Sequence, residues 1–150
     1  MSITARRLVT GPPAQPALRP VLRTSAKVSF RCVFHVVWCT QYRAPVLGDD
    51  IAARLRGIVA EVVGEREAWL LDLNVEPAYV HLVLEVAPQF GIHRLVKAIK
   101  ARSARALRDE FPSLRSRLPS LWTNAYLVTT VGSGLASPMI EHFVLQQPTR

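Results

Sequence analysis

Residues 69 to 87 read Trp69-Leu70-Leu71-Asp72-Leu73-Asn74-Val75, then Glu76-Pro77-Ala78, then Tyr79-Val80-His81-Leu82-Val83-Leu84-Glu85-Val86-Ala87. Two short strand-like runs parted by this spacer predict a β-hairpin, with strands over 69–75 and 80–87. What flanks the hairpin decides the fold. Before it, Ile51, Leu55, Ile58, Val59, Val62 and Val63 recur at helical spacing behind Asp49 or Asp50, either of which suits an N-cap. After it, the segment from Ile92 to Leu107 has apolar residues at 92, 95, 96, 99, 106 and 107 with Lys97, Arg105 and Arg108 on the other side, an amphipathic helix with a basic face. Further out, Val28 to about Thr40 carries Val33, Phe34, Val36, Val37 and Trp38 and predicts a buried strand. Beyond the loop marked by Pro112 and Pro119, Leu121 to Val131 predicts a fourth strand, ended by Gly132 and Gly134. Ser137 as N-cap and Pro138 at the first helical position open a last helix that Pro148 must stop. Strand, helix, strand, strand, helix, strand, helix is the order of an α+β, ferredoxin-like split βαβ sandwich. That fold is a four-stranded antiparallel sheet with helices on one face, here with an added C-terminal helix.

The chain of 150 residues is the size of one ordinary domain. Residues 1–26, with Pro12, Pro13, Pro16 and Pro20 among scattered arginines, predict a flexible basic arm outside a folded domain spanning 27–150. No window approaches the run of about 18 apolar residues that a spanning helix needs, so the expectation is a cytoplasmic protein that does not enter the membrane. Cys32 and Cys39 are an odd distance apart and predict neither a disulfide nor a metal site.

The net charge of +8 is unevenly placed. Residues 49–90 hold eight acids against three bases, whereas 91–117 hold eight bases and only Asp109 and Glu110. A basic stripe of this kind is the electrostatic footprint of a nucleic-acid binder, although a solvated helix face produces the same count.

Local sequence goes further than charge. Phe34-His35-Val36-Val37-Trp38-Cys39-Thr40-Gln41-Tyr42-Arg43-Ala44-Pro45-Val46-Leu47 resembles the opening strand and turn of the insertion sequence 200/605 transposases, YHLVWVTKYRRPVL. Pro77-Ala78-Tyr79-Val80-His81-Leu82-Val83 resembles that family's PDHVHLLV. Leu95 to Lys100 with Ser103 and Arg105 is similar to its LVKxLKGxSSR helix, Glu110-Phe111-Pro112 to its EFP, and Leu121-Trp122 with Tyr126 through Gly132 to its LWSPSYFVxTVG strand. The resemblance runs in register from about residue 28 to 147.

The resemblance implies a metal-dependent DNA strand transferase that acts on hairpins in single-stranded DNA and works as a homodimer exchanging its last helix. It implies two histidines on one strand, two apart, binding Mg or Mn. Period two brings their imidazoles to the same face. A tyrosine on the last helix attacks the DNA phosphorus to form a 5′-phosphotyrosine, and a glutamine four residues later completes the metal site. The family's basic helix contacts the hairpin, which here points to Lys97, Lys100, Arg102 and Arg105.

Carried over position by position, the pattern fails at two of four places. The first histidine is Tyr79, the second is His81, the nucleophile is Phe143 and the glutamine is Gln147. Phe143 has no lone pair with which to attack phosphorus, and a neutral phenol at Tyr79 is a poor metal ligand. Phe143 also has a structural reading, since with Ile140, Val144 and Gln147 it forms a stripe at helical spacing. His81 is open to two readings, metal ligand or hydrogen-bonded interior histidine. His35, His93 and His142 carry no spacing signal, and Tyr126 reads as a packed or DNA-stacking aromatic. Two functions follow: a transposase-like protein that binds single-stranded DNA hairpins with its strand-cleaving chemistry lost, or a non-catalytic DNA-binding regulator derived from one.

Overall fold

The computed structural model describes residues 22–25, 27–130 and 137–149. In chain order these form β1 (Arg23–Ser25), β2 (Val28–Phe30), β3 (Val33–Cys39), α1 (Asp49–Gly64), β4 (Ala68–Glu76), β5 (Tyr79–Val86), α2 (Ile92–Glu110), α3 (Pro112–Arg117), β6 (Leu127–Thr129) and α4 (Ser137–Gln146). The main sheet runs β4-β5-β3-β6, with every pair antiparallel, as the expected sandwich requires. The β4-β5 hairpin turns through Pro77-Ala78, because Glu76 already pairs with Tyr79. Tyr79 therefore opens a strand rather than closing a loop.

One face of the sheet is apolar by alternation. Val36, Trp38, Val80, Leu82 and Leu84 pack there against Leu55, Ile58, Val59 and Val62 of α1 and Leu95, Val96 and Ile99 of α2, all removed from water. Full burial of each such side chain contributes about 1.5 to 3 kcal/mol, so this layer dominates stability. Trp122 meets Trp38 edge to face at 5.8 Å and donates its Nε1 hydrogen to Ser103 Oγ at 3.0 Å. That bond pins the segment after α3 to α2.

Several expectations are corrected. Gly48 takes the N-cap of α1, which places Asp49 and Asp50 in the first turn, where their charges oppose the positive helix end. The strand expected over Leu121–Val131 is confined to Leu127–Thr129, because seating Trp122 in the core leaves it only an isolated bridge to Thr40. Pro112 stands at the start of a short helix rather than in a loop. The strand expected over 28–40 is broken at Arg31-Cys32. The apolar run Val33 to Trp38 is central in the sheet, pairing with β5 on one side and with β6 on the other. Arg23–Ser25, assigned to the arm, form a hairpin with β2 and belong to the fold. Residues 1–21 and 26, Val131, Gly132, Gly134 and the side chain of Ser137 lie outside the described residues. Cys32 and Cys39 are both free thiols, and no described helix is long and apolar enough to cross a membrane.

Candidate functional site

The second face of the sheet carries the polar chemistry. Period two places His35, Val37 and Cys39 of β3 with Tyr79 and His81 of β5 on this face, Val37 opposite His81 and Cys39 opposite Tyr79. Helix α4 lies against it. Ile140 and Val144 join Val37, Cys39 and Tyr79 in a small second core, and Phe143 packs half-buried at its border. The fold thus brings Tyr79, His81 and Phe143 to one side of the sheet. Gln147 sits one residue past α4 and turns back, its Nε2 donating to Phe143 O at 3.3 Å.

Tyr79 is buried, and its hydroxyl has no hydrogen-bond partner among the described residues. Burial raises its pKa first, and Glu76, Cys39 and Glu141 push it the same way, so the group stays a phenol. His81 is fully buried, and its Nε2 lies 3.4 Å from Nδ1 of His35 while its own Nδ1 has no partner among the described residues. Burial, and then the neighbouring His35, holds the His81 pKa down to about 4. Burial also lowers that of His35. Burial thus favours the neutral form of both rings, which meet through one ring nitrogen each. His35 was missed in the sequence because the pairing depends on inter-strand register, which spacing along one chain does not reveal.

As metal ligands these groups are a thin set: Tyr79 offers a protonated oxygen, His81 turns Nε2 toward His35 and keeps Nδ1 without a partner among the described residues, and no group of three or more His, Cys, Asp or Glu side chains among those residues could hold an ion.

A folded-state pKa below the free histidine value of 6.5 means that only the unfolded chain binds the proton between the two. The stability from a neutral His81 is complete above pH 6.5 and lost as pH falls through about 4. Denaturant melts should show a loss on the order of 3 kcal/mol across that window, most of it absent in His81→Gln. A flat profile in the parent protein would contradict the burial.

The four candidate DNA contacts on α2 separate into two kinds. Lys97 and Arg105 are exposed. Lys100 is half-buried, donating to Thr123 O at 2.6 Å and Ala125 O at 3.4 Å, and burial lowers its pKa to about 8. Arg102 is paired with Glu61 at 3.6 Å and with Glu65 on α1. Lys97 and Lys100 also line a groove of about 370 Å³ with His93, Trp122, Asn124 and Tyr126. Tyr126 is held there by its hydroxyl, 2.9 Å from His93 Nδ1.

A second feature absent from the sequence reading is the turn after β3. Tyr42 and Arg43 both take positive φ, 60° and 53°. Two consecutive left-handed non-glycine residues cost on the order of 1 to 3 kcal/mol each. Thr40 holds the turn, its hydroxyl donating to Ala44 O at 2.8 Å and its carbonyl accepting from Arg43 N at 3.1 Å.

The chain belongs to the IS200-like transposase family, whose model matches residues 28–147. It is 33% identical over 104 residues to the ISDra2 transposase TnpA of Deinococcus radiodurans, covering 68% of this chain and 74% of that one. It is 20% identical over 127 residues to the transposase for insertion sequence element IS200 of Salmonella typhimurium, covering 83% of this chain and 82% of that protein. The solved structure of a candidate transposase from Deinococcus radiodurans superposes with a TM-score of 0.76 at 31% identity, over 85% of this chain and 99% of that one. A REP-associated tyrosine transposase bound to a REP hairpin shares the fold, at a TM-score of 0.52 and 13% identity, over 81% of this chain and 68% of that one.

Proposed function

We propose that this member of the family binds single-stranded DNA hairpins and does not cut them. The observation that carries the reading is Phe143. By the family resemblance it falls at the nucleophile position, and it lies on α4 on the same side of the sheet as Tyr79 and His81, with no atom able to attack phosphorus. Tyr79 in place of the first metal histidine removes Lewis-acid help from the same site. Binding is a separate matter, supported by the net charge of +8, the exposed Lys97 and Arg105, and a fold shared with a hairpin-bound relative. Such a protein acts in the cytoplasm as a homodimer, in DNA transposition without cleavage of its own. The second reading, a regulator derived from a transposase, is favoured by the same substitution, since it leaves recognition while removing strand transfer.

Gel-shift titration of hairpin oligonucleotides at several salt concentrations tests the binding. Affinity should fall with salt with a logarithmic slope of about −0.7 per neutralised phosphate. Lys97→Ala and Arg105→Ala should each flatten that slope by about 0.7, whereas Arg102→Ala, already paired with α1, should change it less. A hairpin that fails to shift at low salt would end the proposal.

A further inference from the structure

Lys97, Ala101 and Ala104 of α2 form one wall of the groove of about 370 Å³, and Trp122, Asn124 and Tyr126 form the other. The three α2 residues stand at i, i+4 and i+7 on one helix face, where two short alanine side chains leave the space open. The volume falls within the range of ligand pockets, about 300 to 1,000 Å³.

The wall opposite α2 is held in place. Lys100 reaches across from α2 to donate to Thr123 O at 2.6 Å and to Ala125 O at 3.4 Å, the carbonyls on either side of Asn124. Its ammonium lies 6.0 Å from the centroid of the Tyr126 ring, and the Tyr126 hydroxyl lies 2.9 Å from His93 Nδ1. The two ring centroids are 6.0 Å apart with planes 23° from parallel, so the imidazole is offset from the phenol and extends its flat surface sideways. Tyr126 is only half-buried, and Asn124 and Lys97 are exposed. These three groups are therefore within reach of a ligand, whereas Lys100 serves the wall.

Shape and charge together select the occupant. Among the described residues that line the groove none is an acid, and Lys97 brings a positive charge to it. A flat ring joined to an anion suits this arrangement, with the ring on Tyr126 and the anion at Lys97, and a nucleotide has both parts. In a stem the base faces are covered by their neighbours, so the nucleotide must be an unpaired one. The Asn124 amide can both donate and accept at a base edge, and stacking on an aromatic ring tolerates any base.

We propose that the groove between α2 and Tyr126 holds one unpaired nucleotide of single-stranded DNA, its base against the Tyr126 ring and its phosphate at Lys97, with Lys100 as the positioning residue of that wall. The proposal rests on the reading of the chain as a single-stranded DNA binder.

The test uses the full chain and two labelled strands, d(T)10 and a strand of the same length and charge whose sugars carry no base, measured by fluorescence anisotropy. With the phosphates equal, a difference between the strands reports contact with bases. The thymine strand should bind about tenfold more tightly. Tyr126→Ala should remove most of that preference, and Tyr126→Phe, which keeps the ring, should recover most of it. Ala101→Leu fills the groove from an exposed position on α2 and should also remove the preference, with Tyr126 still in place. Lys100→Gln should weaken binding of the thymine strand without changing the salt slope, which loss of a phosphate contact would flatten by about 0.7. Equal binding of the two strands, no binding of d(T)10, or a preference that survives both Tyr126→Ala and Ala101→Leu overturns the assignment. A hairpin gel shift on the same samples separates the outcomes: a shifted hairpin with equal binding of the two strands sinks the base site alone, and an unshifted hairpin sinks the DNA-binding reading.

Discussion

The double variant Tyr79→His with Phe143→Tyr should form a covalent protein-DNA adduct on a cognate hairpin end in magnesium or manganese, where each single variant forms nearly none. The two lost groups did different things. A missing nucleophile removes the covalent route outright, and a missing metal ligand weakens stabilisation of the transition state by several kcal/mol, so neither repair substitutes for the other. The fold is ready for both. Phe143 is half-buried at the border of the second core, and Phe143→Tyr adds only one oxygen. Position 79 shares its sheet face with His81, as two convergent imidazoles require. In His81, Nδ1 has no partner among the described residues, so with the proton on Nε2 toward His35 that nitrogen can present its lone pair to an ion. End-labelled hairpin oligonucleotide on a denaturing gel reports the adduct as a retarded band. A band of equal strength from Phe143→Tyr alone would show that no histidine is needed at position 79.

Arg23→Ala should destabilise the protein by about 2 to 3 kcal/mol, although residue 23 lies before the span matched by the family model. The Arg23 Nε–H donates to Glu85 Oε1 at 2.8 Å, and the carboxylate is only 3% exposed. The guanidinium also lies 4.0 Å from the centroid of the Trp69 ring, which in turn contacts Phe30 at 6.0 Å. Cutting back Arg23 strands a buried carboxylate whose second oxygen has no partner among the described residues. Because Arg23 itself is a third exposed, solvent screening keeps the loss below that of a fully buried pair. Glu85→Gln should recover part of the loss in the Arg23→Ala background, which chemical denaturation of the four combinations would measure. An Arg23→Ala protein as stable as its parent would mean that the β1-β2 hairpin does not hold Glu85.

The order of the elements along the chain and the two helices on the apolar face were legible because their residues obey one period each. Val36, Trp38, Leu82 and Leu84 alternate on neighbouring strands, and Leu55, Ile58, Val59 and Val62 repeat at helical spacing. What failed depended on contacts between distant segments. Trp122 is β-prone by composition, yet a hydrogen bond to Ser103 and a ring contact with Trp38 pull it out of the strand. Arg23 looked like part of a loose basic arm because its partner Glu85 is 62 residues away. Tyr79, His81 and Phe143 were named from the family resemblance, and the structure places them on one side of the sheet. Register with β3 pairs His35 with His81, and a left-handed turn brings Arg43 to a cavity that it lines with Tyr79. Neither relation leaves a periodic trace. Lys100 and Arg102 sit in the basic block, but only coordinates show that both already have partners inside the protein.

The central claim is recognition without cleavage, and one experiment on the unmodified protein addresses it most directly. An end-labelled hairpin oligonucleotide with an unpaired flank is incubated with the protein in magnesium or manganese, and each sample is divided between a native and a denaturing gel. A shifted band on the native gel, with the oligonucleotide at full length and free of protein on the denaturing gel, is the predicted result. A retarded, denaturation-resistant band or a shortened oligonucleotide from the unmodified chain would contradict it and mark Tyr79 or Tyr126 as the attacking residue.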